Sequence, residues 1–111
     1  MRISTSLAEN DIVLIEIEGE VDAYTARTLD KTLQGLLAQG HNRLVLDASH
    51  MHYISSAGLR VILFVQKAAC ERGGQMRVCG LNAQMRRIFE MAGLDECLRL
   101  SDTRQEAMAG W

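Results

Sequence analysis

Apolar positions along the chain follow two spacings, a tight one that predicts strands and a looser one that predicts helices. Ile12-Val13-Leu14-Ile15 is continuously apolar and passes into the alternation Glu16-Ile17-Glu18, which predicts a sheet strand over 12–18. Arg2 to Leu7 reads as a weaker strand paired before it, and Gly19-Glu20-Val21-Asp22 closes that pair. From Thr25 to Gln39, residues Ala26, Leu29, Leu33, Leu36 and Leu37 fall near one face of a helix. Asp22 is placed to help cap its start, and Gly40 ends it. Arg43 to Ala48 is a short apolar run holding one carboxylate, hence a third strand, followed by a turn that carries two adjacent serines.

The helix Ser56 to Arg72 comes next. Leu59, Ile62, Leu63, Gln66 and Cys70 mark one of its faces and Val61, Val65 and Ala68 another, so a helix apolar nearly all round is expected to be well buried. Gln75 to Cys79 reads as a fourth strand. Asn82 to Ala92 is a third helix with Met85, Ile88, Phe89 and Ala92 in phase, and a short strand over 97–100 and a helical segment from Asp102 complete the order. Proline is absent, so these elements stop by other means: Gly40, Gly73-Gly74 and Gly93 each follow a periodic segment, where a left-handed residue is expected. Strands alternating with helices after an opening hairpin predict an α/β fold whose sheet is mixed rather than purely parallel.

Composition narrows the class. A chain of 111 residues, 48% hydrophobic and 23% charged, is large enough for one ordinary globular domain without metal or disulfide staples. No apolar run approaches the roughly 18 residues of a membrane span, so membrane insertion is not expected. The first residues lack the apolar core of a secretory signal, which makes the cytoplasm the expected location. A net charge of -2 and only two lysines, Lys31 and Lys67, argue against nucleic acid as a partner; Arg86-Arg87 flanks an apolar stripe instead of forming a patch. Cys70, Cys79 and Cys97 show no Cys-x-x-Cys spacing and read as reduced core thiols.

Candidate chemistry concentrates at Tyr53-Ile54-Ser55-Ser56-Ala57-Gly58-Leu59. A helix start offers unpaired N–H groups and the positive end of the macrodipole, so either serine suits a cap, and a phosphate there is structurally tolerated. Asp47, read as a strand-end carboxylate, is expected either to be the polar neighbour of the serines or to cap and hydrogen-bond its own loop; Ser49 and Asn82 read as surface polars. His50 and His52 lack a carboxylate or thiol in register and fall short of a metal site. Asp47, His52 and Ser56 have the residue types of a hydrolase triad, but the Gly-x-Ser-x-Gly elbow is missing. Gly73-Gly74 and Gly80 make no phosphate loop, so no cofactor is implied. Trp111 and the six methionines read as packing, with an adaptable docking face of Met51, Met85 and Met91 as the alternative.

Three patterns stand in register with these elements: Gly19-Glu20-Val21-Asp22, Leu46-Asp47-Ala48-Ser49 and Ile54-Ser55-Ser56-Ala57-Gly58-Leu59. Together they resemble the STAS domain of the bacterial anti-anti-sigma factor (anti-sigma factor antagonist) family, over essentially the whole chain in element order and length. The resemblance implies one STAS domain over residues 1–111, with a mixed sheet of about four or five strands and about four helices packed against it. It further implies a partner switch and no enzymatic activity. The unphosphorylated form binds an anti-sigma factor that is a serine kinase of histidine-kinase-like ATPase fold and so frees its client. Phosphorylation abolishes that binding, and a serine phosphatase of the PP2C type reverses it.

Alignment on Gly58-Leu59 puts the phosphoacceptor at Ser56, with Ser55 as the alternative, and the partner-facing set at Asp22, Asp47, Ser49, Ser55, Ser56, Gly58 and Leu59. The family's common form is Asp-Ser-Ser-Gly-Leu. This chain carries Ser55 in the place of the aspartate and Ala57 in that of the second serine. The resemblance also allows a non-switching reading, a STAS scaffold subunit of a larger assembly such as a membrane transport complex, with the serines acting only as caps.

Overall fold

A computed structural model describes residues 1–111. The elements run β1 (Arg2–Leu7), β2 (Val13–Val21), α1 (Thr25–Ala38), β3 (Arg43–Ile54), α2 (Ser56–Glu71), β4 (Gln75–Cys79), α3 (Ala83–Met91), β5 (Arg99–Ser101) and α4 (Arg104–Met108), with single 3-10 turns at Glu9–Asp11 and Leu94–Glu96. The first of these turns closes the β1–β2 hairpin with Asn10 and Asp11 at φ 58° and 60°, in the left-handed region that their short polar side chains tolerate best. One five-stranded sheet results, in the order β1-β2-β3-β4-β5, with β1 antiparallel to β2 and every later pair parallel.

Spatial order equal to chain order fixes where the helices lie. Each crossover steps to the next strand in the same direction, and right-handed crossovers then put α1, α2 and α3 on one face of the sheet. The buried residues sort accordingly. Ile15 and Ile17 of β2, Leu44 and Leu46 of β3, and Met76 and Val78 of β4 join Leu29, Leu33, Ile62, Val65 and Phe89 of the helices in the main core. The strand residues of opposite parity, Leu14, Val45 and Cys79, form a second, smaller cluster with Ile12 and with Ala107 of α4. Continuous apolar runs in β2 and β3 therefore report strands covered on both sides.

The structure lengthens two strands beyond the sequence-based expectation. β2 continues through Gly19 to Val21, and β3 continues past Ala48 to Ile54. Opposite Glu16 to Val21 of β2 stand Asp47 to Ile54 of β3, with register shifts at Glu16/Glu18 and Gly19/Glu20 that insert two extra residues in β3. The bulges leave Ala48, Met51 and Ile54 buried at a spacing of three, which matches neither period of a regular strand nor one of a helix face.

Other expectations are corrected as well. Three helices laid side by side on one sheet face keep their outer sides wet, so α2 is buried only along Gly58, Ile62, Val65, Gln66 and Ala69, while Phe64 is 55% exposed. Only Cys79 is a core thiol; Cys70 and Cys97 are exposed. Burial, reinforced by the nearby Asp47 carboxylate, pushes the Cys79 thiol up to about 11. Met51 and Met85 are buried and Met91 is exposed, so they share no docking face. β5 lies at Arg99–Ser101 rather than 97–100, because the turn at Leu94–Glu96 delays it. Gly40, Gly73 and Gly93 are left-handed, as their places after α1, α2 and α3 require.

Two buried polar side chains fasten the fold. Gln66 Oε1 accepts the Met76 N–H at 2.6 Å and its Nε2 donates to the Cys97 carbonyl at 2.8 Å, tying α2 to β4 and to the approach to β5. Arg77, 1% exposed, donates from Nη1 to the Ala107 carbonyl at 3.0 Å and from Nη2 to that of Gly110 at 3.1 Å, and its guanidinium stacks 3.9 Å from the Trp111 ring centroid. The C-terminal segment is thereby held over the face opposite α1–α3.

Candidate functional site

The ends of β2 and β3 lie side by side, and each runs directly into a helix N-terminus. At the start of α1, Asp22 and Thr25 bond reciprocally: the Thr25 N–H donates to Asp22 Oδ1 at 2.7 Å, and the Asp22 N–H donates to Thr25 Oγ1 at 2.9 Å. The Thr25 backbone and hydroxyl bonds hold the Asp22 carboxyl below its usual range. At the start of α2, the Ser55 N–H donates to the Val21 carbonyl at 2.8 Å, stitching the second helix to the end of β2.

The two serines divide the work of that turn. Ser55 is the N-cap, with extended backbone and its Oγ accepting the Gly58 N–H at 3.2 Å. Ser56 is the first helical residue, exposed, with its hydroxyl bonded to no protein group. Gly58 explains why the turn lies so close to the sheet: a Cβ there would stand 2.7 Å from Ile54 Cγ1 and 2.9 Å from Val21 Cγ1. Only a hydrogen fits, so the first turn of α2 presses on both strand ends and fixes where Ser56 projects. Leu59 is half-buried and packs against the main core.

Asp22, Ser55, Ser56, Gly58 and Leu59 are thus brought to one edge. Asp47 and Ser49 are not. Because β3 continues beyond Asp47, five residues of the neighbouring β2, roughly 17 Å at strand rise, separate it from the serine end. Its parity also places it on the face opposite α1–α3. There Oδ1 accepts the Ser49 N–H at 3.0 Å and the Ser49 hydroxyl at 2.7 Å, while Oδ2 accepts from Arg104 Nε at 3.1 Å and Nη2 at 2.7 Å. Arg104 Nη2 also stands 3.2 Å from Glu16 Oε2. Burial pushes the Asp47 carboxyl up, but the Ser49 and Arg104 bonds outweigh it and hold it below the usual range. The expectation of Asp47 as polar neighbour of the serines is corrected: its carboxylate fastens α4 to the sheet. A triad with His52 and Ser56 is ruled out by the same geometry. No three His, Cys, Asp or Glu side chains gather in a metal-binding arrangement.

One feature of the edge escaped the sequence. Between α1 and α2 runs a shallow groove walled by Ala23, Ala26, Arg27 and Asp30 on one side and Ala57, Arg60, Val61 and Phe64 on the other. Tyr24 and Tyr53, 77% and 46% exposed, lie next in sequence to the α1 start and to the serine turn. Exposed aromatics beside a groove are the raw material of a protein-binding surface. The available signal was the spacing of Ala57, Val61 and Phe64, which reads equally well as a core stripe until the neighbouring helix is placed.

A model of the STAS domain family matches residues 6–107. Among curated proteins, the chain is 34% identical over 95 residues to a putative anti-sigma factor antagonist, BtrV, of Bordetella bronchiseptica, covering 86% of this chain and 82% of that protein. It is 30% identical over 112 residues to the anti-sigma-F factor antagonist RsfB of Mycobacterium tuberculosis, covering 97% and 88%. Among solved structures, that of a putative anti-sigma factor antagonist from Thermotoga maritima superposes with a TM-score of 0.89 at 25% identity, covering 96% of this chain and 91% of that one. The fold, the serine turn at the start of α2 and these likenesses agree, and the chain belongs to the STAS domain family, in its group of anti-sigma factor antagonists.

Proposed function

We propose that this protein is a cytoplasmic anti-sigma factor antagonist that works as a phosphorylation-controlled partner switch, a binding regulator and not an enzyme. The observation that carries the reading is the division of labour at the α2 start. Ser55 is occupied as the N-cap, while the Ser56 hydroxyl is exposed and unbonded, on a backbone that Gly58 holds against the sheet. The unphosphorylated edge, formed by the Asp22 turn, the serine turn and the groove beyond it, docks on an anti-sigma factor and frees that factor's client.

The switching step falls to a partner of histidine-kinase-like ATPase fold. The γ-phosphoryl group of ATP passes to Ser56 Oγ: the Oγ–P bond forms as the bond from the γ-phosphorus to the β,γ-bridging oxygen breaks, ADP leaves, and the hydroxyl proton goes to a base of the kinase. The product carries about -1.5 to -2 added charges and three acceptor oxygens at the rim of the docking surface. Folding tolerates it, because the N–H groups of the first turn and the helix dipole favour an anion there. Docking does not, because a partner that covers this edge, whose exposed side chains include Tyr24, Tyr53 and Phe64, must now desolvate a dianion. A serine phosphatase of the PP2C type restores the binding form.

The test is direct. Incubation with the cognate kinase and ATP is expected to add one phosphate, located on Ser56 by mass spectrometry and lost in Ser56→Ala. A phosphate found on Ser55, or one that persists in Ser56→Ala, refutes the assignment. Co-purification with transporter subunits, indifferent to Ser56→Asp, refutes the switch and supports a scaffold.

A further inference from the structure

Two arginines, Arg27 and Arg60, line the groove beside the serine turn, and neither has an anionic partner. The ion pairs of the fold are Arg2–Glu18, Arg86–Asp102, and Arg104 with Glu16 and with Asp47. Asp30 lines the same groove but pairs with neither arginine and accepts from Gln34 Nε2 at 3.4 Å, and Asp22 is bonded to Thr25. Unpaired, a guanidinium at the rim of an apolar groove is a free recognition element.

Arg60 has a second relation that Arg27 lacks. It lies four residues after Ser56 on α2, and both are exposed. Residues four apart share a helix face, and a long helical side chain covers the turn N-terminal to its own Cα, here the turn that carries Ser56. A guanidinium presents a planar fork of N–H donors that matches two phosphate oxygens at once.

We propose that Arg60 is the intramolecular receiver of a phosphate on Ser56. One modification then has two effects on the docking surface: it adds negative charge at the edge, and it withdraws the cation that the unmodified groove offers to an acidic group of the partner. A partner built to meet Arg60 loses its counter-charge and faces a phosphate of its own sign. The proposal rests on Ser56 as the acceptor, and it assigns to this chain a residue outside the serine motif.

The experiment separates the two. Phosphoserine is installed at position 56 during translation, without any kinase, and the second ionisation of the phosphate is followed by phosphorus NMR in the otherwise unaltered protein and in Arg60→Ala, Arg60→Lys and Arg27→Ala. Removing Arg60 is expected to raise the phosphate pKa by about 0.15 to 0.4 of a unit, Lys to restore part of that, and Arg27→Ala to move it less. The Arg60 effect is expected to shrink in about 1 M salt. An equal pKa with and without Arg60, or a larger effect of Arg27→Ala, overturns the proposal. In calorimetry against the kinase, Arg60→Ala is expected to weaken the unphosphorylated complex about threefold and to narrow the affinity gap between the two forms; an unchanged gap overturns the withdrawal of the cation. Failure of the kinase to label Ser56 counts against the acceptor assignment alone, since the NMR arm needs no kinase.

Discussion

Replacing each serine of the turn by alanine, one at a time, separates cap from acceptor without any partner protein. Ser55 Oγ satisfies the Gly58 N–H at 3.2 Å, toward the long end of the hydrogen-bond range, so Ser55→Ala is expected to cost about 1 kcal/mol within the usual span for lost caps of about 0.5–2. For a chain of 111 residues that is a fall in Tm of roughly 4 °C. Ser56 bonds to nothing and sits at the first helical position, where alanine is at least as good a helix former, so Ser56→Ala is expected to shift Tm by less than about 1 °C. Ser55→Asp restores a cap oxygen and adds a negative charge at the positive end of the helix dipole, so it is expected to match or exceed the native stability, by up to about 1 kcal/mol. The assay is thermal unfolding by circular dichroism together with urea titration, with unchanged m-values as the condition for comparing midpoints. If Ser56→Ala proves the costly change and Ser55→Ala the silent one, the roles are reversed. Ser55 is then the free hydroxyl, and the phosphoacceptor assignment falls with the cap.

Three further outcomes follow from the polar fasteners. Asp47 has a folded pKa below its unfolded one, so it contributes stability that is present above the unfolded value and is lost as pH falls through the folded value; Asp47→Asn is expected to lower Tm at neutral pH and to flatten its decline below about pH 4, and an acid limb identical in the variant refutes this. Gln66→Leu leaves the Met76 N–H and the Cys97 carbonyl without partners and is expected to cost about 2–4 kcal/mol in urea titration, whereas a near-neutral result means that those groups find other partners. Cys70 and Cys97 are expected to react at once with a thiol reagent, and Cys79 only through local opening of α4; Arg104→Ala is expected to speed the slow phase, and three equal rates refute the burial of Cys79.

The parts of the fold that were legible are those in which one period holds throughout an element. β4 was found at its full extent, and α1 and α3 to within a residue or two at either end, because Leu29, Leu33 and Leu37, or Met85 and Phe89, repeat without interruption and end at a glycine in the left-handed region. β3 was cut short because its second half carries two extra residues, and Ala48, Met51 and Ile54 keep facing the core only by abandoning alternation. The regular apolar run ends at Ala48, which makes Asp47 read as a strand end beside the serines, whereas it stands in the middle of β3. The burial of α2 failed for a different reason. Its composition shows how apolar the helix is but not how many neighbours cover it, and a sheet whose strand order equals its chain order stacks every crossover helix on one side.

The functional edge was legible for the opposite reason: its residues are contiguous. Ser55, Ser56 and Gly58 act within one helical turn, so their spacing alone contains most of the geometry, including the cap and the exposed hydroxyl. What the spacing lacks is the reason for Gly58, because the atoms that forbid a side chain there, Val21 Cγ1 and Ile54 Cγ1, come from two strands, one of them 37 residues away in sequence. The groove is likewise a property of two helices. Arg27 and Arg60 become a pair only when α1 and α2 are laid side by side, and only then does the absence of a counter-ion on Arg60, one turn from Ser56, acquire a meaning. A serine that is merely a cap needs no free cation within reach, whereas a serine that receives a phosphate has a use for one.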